Sequence, residues 1–154
     1  SLNGTALAYV EGDLRHCRSV CLAAVNHDGF ALEHVPEELR ADPEVVLTAV
    51  CQNGMALKHA SSVLRQDREL VLFAVRSKGG ALQFAGWECL GDRGVVLAAV
   101  EQDGMALQHA SLELRAERGI ALAAVTSDWH ALQFASEKLR GDTGVVLAAV
   151  IFPP

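Results

Sequence analysis

The chain has few aromatic residues, no excess of basic residues and no long apolar run. Phe, Trp and Tyr make up 5% of its 154 residues, and the formal net charge is −6. Nucleic-acid-binding domains usually present a basic face and often stacking aromatic rings, so we expect no nucleic-acid partner. A transmembrane helix needs about 18 consecutive apolar residues, and polar or charged residues interrupt every apolar stretch before that length. We therefore expect no membrane span.

The chain also lacks the motifs that accompany catalysis or cofactor binding. It contains no Gly-x-Ser-x-Gly elbow, no His-Glu-x-x-His pair, no phosphate-binding loop and no dinucleotide fingerprint. We expect neither enzymatic activity nor a bound cofactor. The four cysteines, Cys17, Cys21, Cys51 and Cys89, form no Cys-x-x-Cys pair. Because two thiolates such as Cys17 and Cys21 do not complete a tetrahedral zinc site, we predict free thiols that fill small apolar positions.

A 25-residue unit recurs six times without an insertion. The units cover about 1–25, 26–50, 51–75, 76–100, 101–125 and 126–150. An Ala-Leu pair recurs in all of them, at Ala6, Ala31, Ala56, Ala81, Ala106 and Ala131 with the leucine next in sequence. Such a period is typical of stacked repeats, in which each unit buries its apolar face against its neighbours. Because the chain starts inside the pattern, we expect this single repeat domain to belong to a longer protein.

The first half of a unit has the signals of a short α-helix. In the stretch from Asp42 to Gly54, aspartate is an N-cap residue, and Pro43 fits the first helical position. Asn53-Gly54 predicts a left-handed stop after about ten residues. The apolar residues form a stripe too wide for a surface helix, so we expect contacts on at least two sides.

The second half of the unit predicts an amphipathic helix. Leu57, Ala60 and Leu64 have the i, i+3, i+7 spacing of one helical face. Serine follows the small residue in several units, so the helix either continues or restarts there with Ser61 as a local cap. A second alanine column, from Ala24 to Ala149, predicts close helix crossings.

The combined pattern identifies a family. Asp-x-Glu-Val-Val-Leu-x-Ala-Val-x-x-Asn-Gly-x-Ala-Leu-x-x-Ala-Ser-x-x-Leu-Arg, as read from Asp42 to Arg65, resembles the tandem repeat family known as domain of unknown function number 4116. The resemblance runs from about Asn3 to Val150. It implies short paired helices in tandem arrays and brings no catalytic residues with it. The fold class we expect is therefore all-α, an α-solenoid of six 25-residue repeats with two short helices per repeat.

Two polar columns accompany the apolar ones. Arginine recurs at Arg15, Arg40, Arg65, Arg115 and Arg140, and an acid follows two residues later at Asp42, Asp67, Asp92, Glu117 and Asp142. We interpret the acids as helix N-caps and the arginines as their partners in weak surface pairs, which form a ladder along one edge. The alternative is a row of guanidinium groups for phosphate or carboxylate partners.

The repeat pattern breaks in two places. In unit four, Trp87 is followed by Cys89 where leucine is expected and by Leu90 where arginine is expected. A one-residue shift that moves Leu90 into the core would explain both, and Trp87 then either covers the shifted turn or anchors a partner. In unit six, Trp129-His130 replaces the Gly-x of the other units, so we expect a distorted turn unless Asp128 takes the left-handed position.

One column holds mostly aromatic rings, at Tyr9, His34, His59, Phe84, His109 and Phe134. No acid or thiol accompanies the histidines in phase, so the column predicts a half-buried aromatic ridge in preference to a metal site. A pH response through the imidazoles is a further possibility.

The pattern favours a non-enzymatic helical-repeat scaffold or protein-interaction module, or a structural piece of a larger assembly. Its variable polar positions, such as Lys58 and Gln83, line one edge, and its apolar ends favour a protein partner or self-association. The alternative is a carrier of a small apolar ligand along the inner groove near Trp87, Phe84 and the histidines. The candidate partner-contact residues are Trp87, Trp129, His130, Ile151 and Phe152.

Overall fold

The computed structural model describes Leu7 and residues 12–151, and every regular element in that part of the chain is helical. The long helices are α1 (Arg18–His27), α2 (Pro43–Gln52), α3 (Arg68–Ser77), α4 (Arg93–Gln102), α5 (Arg118–Ser127) and α6 (Thr143–Ile151). A six-residue 3-10 helix follows each of the first five, at Gly29–His34, Gly54–His59, Gly79–Phe84, Gly104–His109 and Trp129–Phe134. Short segments at Gly12–His16, Leu39–Ala41, Leu64–Gln66, Trp87–Leu90, Leu112–Arg115 and Glu137–Arg140 lead into the long helices.

The long helices begin where the sequence predicts. The Oδ1 atoms of Asp67, Asp92 and Asp142 accept hydrogen bonds from the amide three residues later, at 2.9, 2.8 and 2.9 Å. Asp42 caps α2 in the same way. Glu117 precedes α5 without a side-chain cap bond, so the capping prediction is confirmed for the aspartates and wrong for the glutamate.

The recurrent apolar columns form the core of the stack. Leu32, Leu57, Leu82 and Leu107 of the 3-10 helices are fully buried, and so are Ala49, Ala74, Ala99 and Ala124 of the long helices. Consecutive long helices contact one another, and each 3-10 helix contacts the long helices on both sides of it. Burial of one leucine side chain contributes about 1.5–3 kcal/mol. The predicted all-α solenoid is confirmed.

The second half of each unit is not one continuous helix. The 3-10 helix ends at His59, Ala60 is extended with φ −66° and ψ 155°, and a new short segment follows. Ser61 Oγ accepts a hydrogen bond from the Leu64 amide at 3.3 Å, and Ser111 caps its segment in the same way. Of the two alternatives that the sequence left open, the restart at serine is therefore correct.

The prediction of a left-handed stop at Asn-Gly is wrong. Asn53 is extended, with φ −154° and ψ 112°, and its side chain accepts a hydrogen bond from the Met55 amide at 3.0 Å. Gly54 is required for a different reason: a Cβ atom there would collide with the carbonyl group of Ala74 in the next long helix. The glycine column thus marks close backbone approach between helices.

The expected distortion at Trp129 does not occur either. Asp128 is extended with φ −149°, not left-handed, and the 3-10 helix Trp129–Phe134 has the length of the others. The 3-10 helix therefore forms without a glycine at its first position.

Candidate functional site

The short segments form a continuous edge along the stack, which we call the short-helix edge. It comprises Leu39–Ala41, Leu64–Gln66, Trp87–Leu90, Leu112–Arg115 and Glu137–Arg140, together with the residue or residues that connect each one to the preceding 3-10 helix. One backbone hydrogen bond joins each segment to the next: Ser61 N to Arg40 O at 3.0 Å, Gly86 N to Arg65 O at 2.6 Å, Ser111 N to Leu90 O at 2.9 Å and Ser136 N to Arg115 O at 3.0 Å. Because main-chain atoms make these bonds, equivalent side chains of neighbouring units are held in a row.

Three apolar side chains stand exposed on this edge in three consecutive units. Val63 is 75% exposed, Trp87 74% and Leu112 78%. Sequence reasoning singled out Trp87 and missed the other two. The signal was present, because Leu112 occupies the column of Trp87, where neighbouring units carry serine or glutamate. Val63 stands one position later in its unit than Trp87 and Leu112 do in theirs, so the three form an apolar row along the edge but not a single repeat column. Exposed apolar residues that recur along one edge are a feature of interaction surfaces.

The predicted register shift near Trp87 is wrong. Cys89 is 2% exposed and occupies the core position that Leu64 and Leu114 hold in the neighbouring units, and Leu90 stays half-buried. Burial raises the pKa of the Cys89 thiol, so the group is neutral. Since the register is unchanged, Trp87 does not cover a shifted turn and projects from the edge.

The other candidate contact residues lie elsewhere. Trp129, 44% exposed, stacks on His130 with ring centroids 3.7 Å apart, and His130 Nδ1 lies 2.8 Å from Asp128 Oδ1. These rings belong to the last described 3-10 helix, not to the short-helix edge. Ile151, 62% exposed, ends α6, and Phe152 lies outside the described residues.

The aromatic column is a half-buried ridge, as predicted, at His34, His59, Phe84, His109 and Phe134; Tyr9 lies outside the described residues. Burial lowers the pKa of His59 and of His109. Burial therefore favours the neutral form of both imidazoles. Within residues 12–151, no three His, Cys, Asp or Glu side chains are grouped so that they could hold a metal ion.

The arginine ladder exists, but a different arginine column makes it. Arg18, Arg68, Arg93 and Arg118 pair with the acid of the following unit, with Nε to carboxylate oxygen distances of 2.8, 3.0, 2.8 and 3.6 Å. Two of the arginines that the sequence favoured bind backbone carbonyls instead: Arg15 Nε donates to the His34 carbonyl at 3.1 Å, and Arg115 Nε to that of Phe134 at 2.6 Å. The Nε atoms of Arg40 and Arg65 are buried without a hydrogen-bond partner, and Arg140 is exposed. The Arg18 guanidinium lowers the pKa of Asp42.

The cysteines are all free thiols, as predicted, but only two fill apolar positions. Cys21 and Cys89 are buried, Cys17 is half-buried and Cys51 is exposed. The pKa of the Cys17 thiol is lowered by the Ser19 hydroxyl and by the amides of Val20 and Ser19. Cys17 occupies the column that holds the acidic residues before the long helices of later units.

The glutamines at the variable polar positions form hydrogen bonds within their own 3-10 helices. Gln83, Gln108 and Gln133 are exposed, but each amide group donates a hydrogen bond to a carbonyl of its own 3-10 helix, at 2.9, 3.2 and 3.1 Å. The apolar side chains of Val63, Trp87 and Leu112, by contrast, are about three-quarters exposed.

Comparison with known proteins gives one family. The family model described as domain of unknown function (DUF4116) matches residues 1–40, 42–89 and 92–140. No significant match was found among curated proteins or among solved structures. None of the described helices has the length and apolar character that crossing a membrane requires. The match covers most of the chain, which therefore belongs to the DUF4116 family.

Proposed function

We propose that this member of the DUF4116 family is a non-enzymatic helical-repeat scaffold that binds a protein partner along its short-helix edge. The observation that carries the proposal is the row of Val63, Trp87 and Leu112, each about three-quarters exposed on consecutive units. Tryptophan is enriched among the residues that dominate binding energy at protein interfaces.

The rigidity of the edge supports this role. Main-chain hydrogen bonds between segments set the spacing of the backbone that carries the three side chains before any partner arrives. A preorganised surface loses less conformational entropy on binding. Covering an aliphatic side chain such as Val63 or Leu112 removes apolar surface from water and contributes about 1.5–3 kcal/mol for full burial.

The use of the charged groups supports a role other than catalysis. Three of the recurrent aspartates cap helices and pair with Arg18, Arg68 or Arg118, while Arg15 and Arg115 bind backbone carbonyls. These groups are occupied in holding one unit to the next. Structural contacts of this kind account for these members of the polar columns without a substrate.

A second candidate function is the carriage of a small apolar ligand. A mainly apolar hollow of about 400 Å³ is bordered by Trp129, His130, Leu132, Gln133 and Arg140. This volume is in the range of small-molecule sites. It lies away from the groove near Phe84 that the sequence suggested. Native mass spectrometry of the purified protein would reveal a bound small molecule, and an unliganded mass under gentle ionisation would count against carriage.

Site-specific photocrosslinking tests the main proposal. A benzophenone amino acid is placed at Trp87 or at Leu112, and at Gln83 as an exposed control outside the edge. We expect discrete crosslinked protein species in extract of the source organism from the two edge positions only. Equal, diffuse labelling from all three positions would contradict the proposal.

A further inference from the structure

The arginine ladder has one gap, and the gap is at Asp67. Each of the acids Asp42, Asp92, Glu117 and Asp142 lies near the arginine that opens the preceding long helix. The residue in that column before Asp67 is Pro43, which has no side-chain donor. Among the described residues, Asp67 is therefore the ladder acid without its arginine.

The missing arginine leaves a surface uncovered. Where the arginine is present, its side chain extends over the first turn of the next long helix. A guanidinium nitrogen of Arg68 lies 3.0 Å from the position that a Cβ atom of Gly94 would take, and one of Arg93 lies 3.5 Å from the same position at Gly119. Pro43 has no guanidinium group to reach across in the same way, and the position equivalent to Gly94 is Glu69, whose carboxylate lies 3.0 Å from Arg68 Nη1. An apolar hollow of about 170 Å³ lies open there, between α2 and α3.

The hollow has the size and lining for one aromatic ring. The buried Leu64 and Leu70 line the hollow together with Leu47 and Phe73, which are 37% and 52% exposed. The rest of the lining comes from Pro43, Asp67 and Glu69. An apolar cavity of about 150 Å³ with a comparable lining accepts a benzene molecule. A single six-membered or indole ring, partly inserted, therefore matches this site.

The rim of the hollow carries a hydrogen-bond acceptor. Asp67 lines the hollow, and its Oδ1 atom accepts the Leu70 amide at 2.9 Å. Its Oδ2 atom makes no ladder contact because Pro43 cannot supply one. A buried indole N–H usually finds a hydrogen-bond partner, so an acceptor at the rim favours tryptophan over phenylalanine.

We propose that a second copy of this chain fills the hollow with Trp87. The inference rests on the proposed role of the short-helix edge as a contact surface. Trp87 is 74% exposed and stands free on that edge. Reciprocal insertion, with each copy giving one ring and one hollow, produces a two-fold symmetric dimer.

The expected dimer is weak and strengthens with salt. One buried tryptophan accounts for about 150–250 Å², so two of them supply only part of the roughly 1,200–2,000 Å² of a stable interface. Two chains of charge −6 repel each other, and salt screens that repulsion. A basic partner on the same edge would bind more weakly as salt is added.

Sedimentation velocity over a concentration series at low and high salt tests the proposal. We expect Trp87→Ala to weaken dimerisation more than tenfold. Phe30→Ala, which removes an aromatic ring 45% exposed outside the edge, should change it less than twofold. In a Trp129→Phe background, Trp87 is the sole tryptophan, and its emission should shift to shorter wavelength as the protein associates.

Pro43→Arg is the second variant, since it restores the ladder arginine and closes the hollow. It introduces the residue that the equivalent position has in four other units, so we expect a folded monomer with unchanged or higher thermal stability. A mixture of Trp87→Ala and Pro43→Arg retains one ring and one hollow, and should associate more strongly than either variant alone but more weakly than the unaltered chain.

A chain that stays monomeric at all concentrations would overturn this inference, and so would a dimer that survives both variants. If the monomer nevertheless crosslinks another protein through position 87, the second-copy inference fails and the proposed scaffold function stands. If position 87 crosslinks nothing, both fail.

Discussion

Replacing Gly104 by alanine tests the close approach that the glycine column reflects. The new Cβ atom would collide with the carbonyl oxygen of Ala124 and lie 2.8 Å from the Asp128 amide nitrogen and 3.0 Å from its Cβ atom. The nearest obstacles are backbone atoms, so no side-chain rotation relieves them. Overpacking of this kind costs about 1–3 kcal/mol, offset by about 0.4–1 kcal/mol from the restricted unfolded chain. We expect a net loss of about 1–2 kcal/mol.

The matched control is Gly141→Ala, because a Cβ atom there would have its nearest neighbours at 3.7 and 4.0 Å, an ordinary contact. Ala41 and Ala116 already occupy the same column. For a chain of this size, Tm should fall by about 2–8 °C in Gly104→Ala and stay level or rise in the control. Thermal unfolding followed by circular dichroism makes the comparison. Equal Tm values for the two variants would refute the close-approach reasoning.

Three further predictions follow from the packing, the caps and the buried imidazoles. Ala74→Leu should destabilise the chain by about 1–3 kcal/mol through overpacking, whereas Lys58→Leu on the surface should change little; equal unfolding midpoints would contradict this. Asp92→Ala should cost about 1 kcal/mol through loss of a cap, and Glu117→Ala less, since it makes no cap bond; chemical denaturation measures both. Burial lowers the pKa of His59, so the unfolded chain takes up the proton first and stability should fall as the pH drops below about 6.5. His59→Phe, the residue of two other units, should weaken that pH dependence in melts between pH 7 and 5.

The sequence predicted elements that depend on local chemistry. The aspartate caps and the restart at Ser61 each involve residues two or three positions apart, so one unit contains all the atoms concerned. The role of Gly54 depends on a carbonyl twenty residues away, and the sequence pattern could not separate it from a turn requirement.

The candidate site was only partly predictable. Trp87 stood out because it breaks the repeat, while Val63 and Leu112 are ordinary apolar residues whose exposure appears only when the segments are placed side by side. The sequence favoured the wrong arginine as the partner of each ladder acid. Two arginine columns lie close to the acids in sequence, and only the distances in the folded chain show which of the two forms the ion pairs.

By itself, the sequence determined the all-α repeat, its period, the helix starts and the family, because these rest on residue types that recur at fixed spacing. The tertiary structure alone decided which arginine pairs with which acid, why glycine is required, and where the gap at Pro43 leaves a ring-sized hollow. Those features are set by distances between units, and stacking fixes these distances only after every unit has packed against its neighbours.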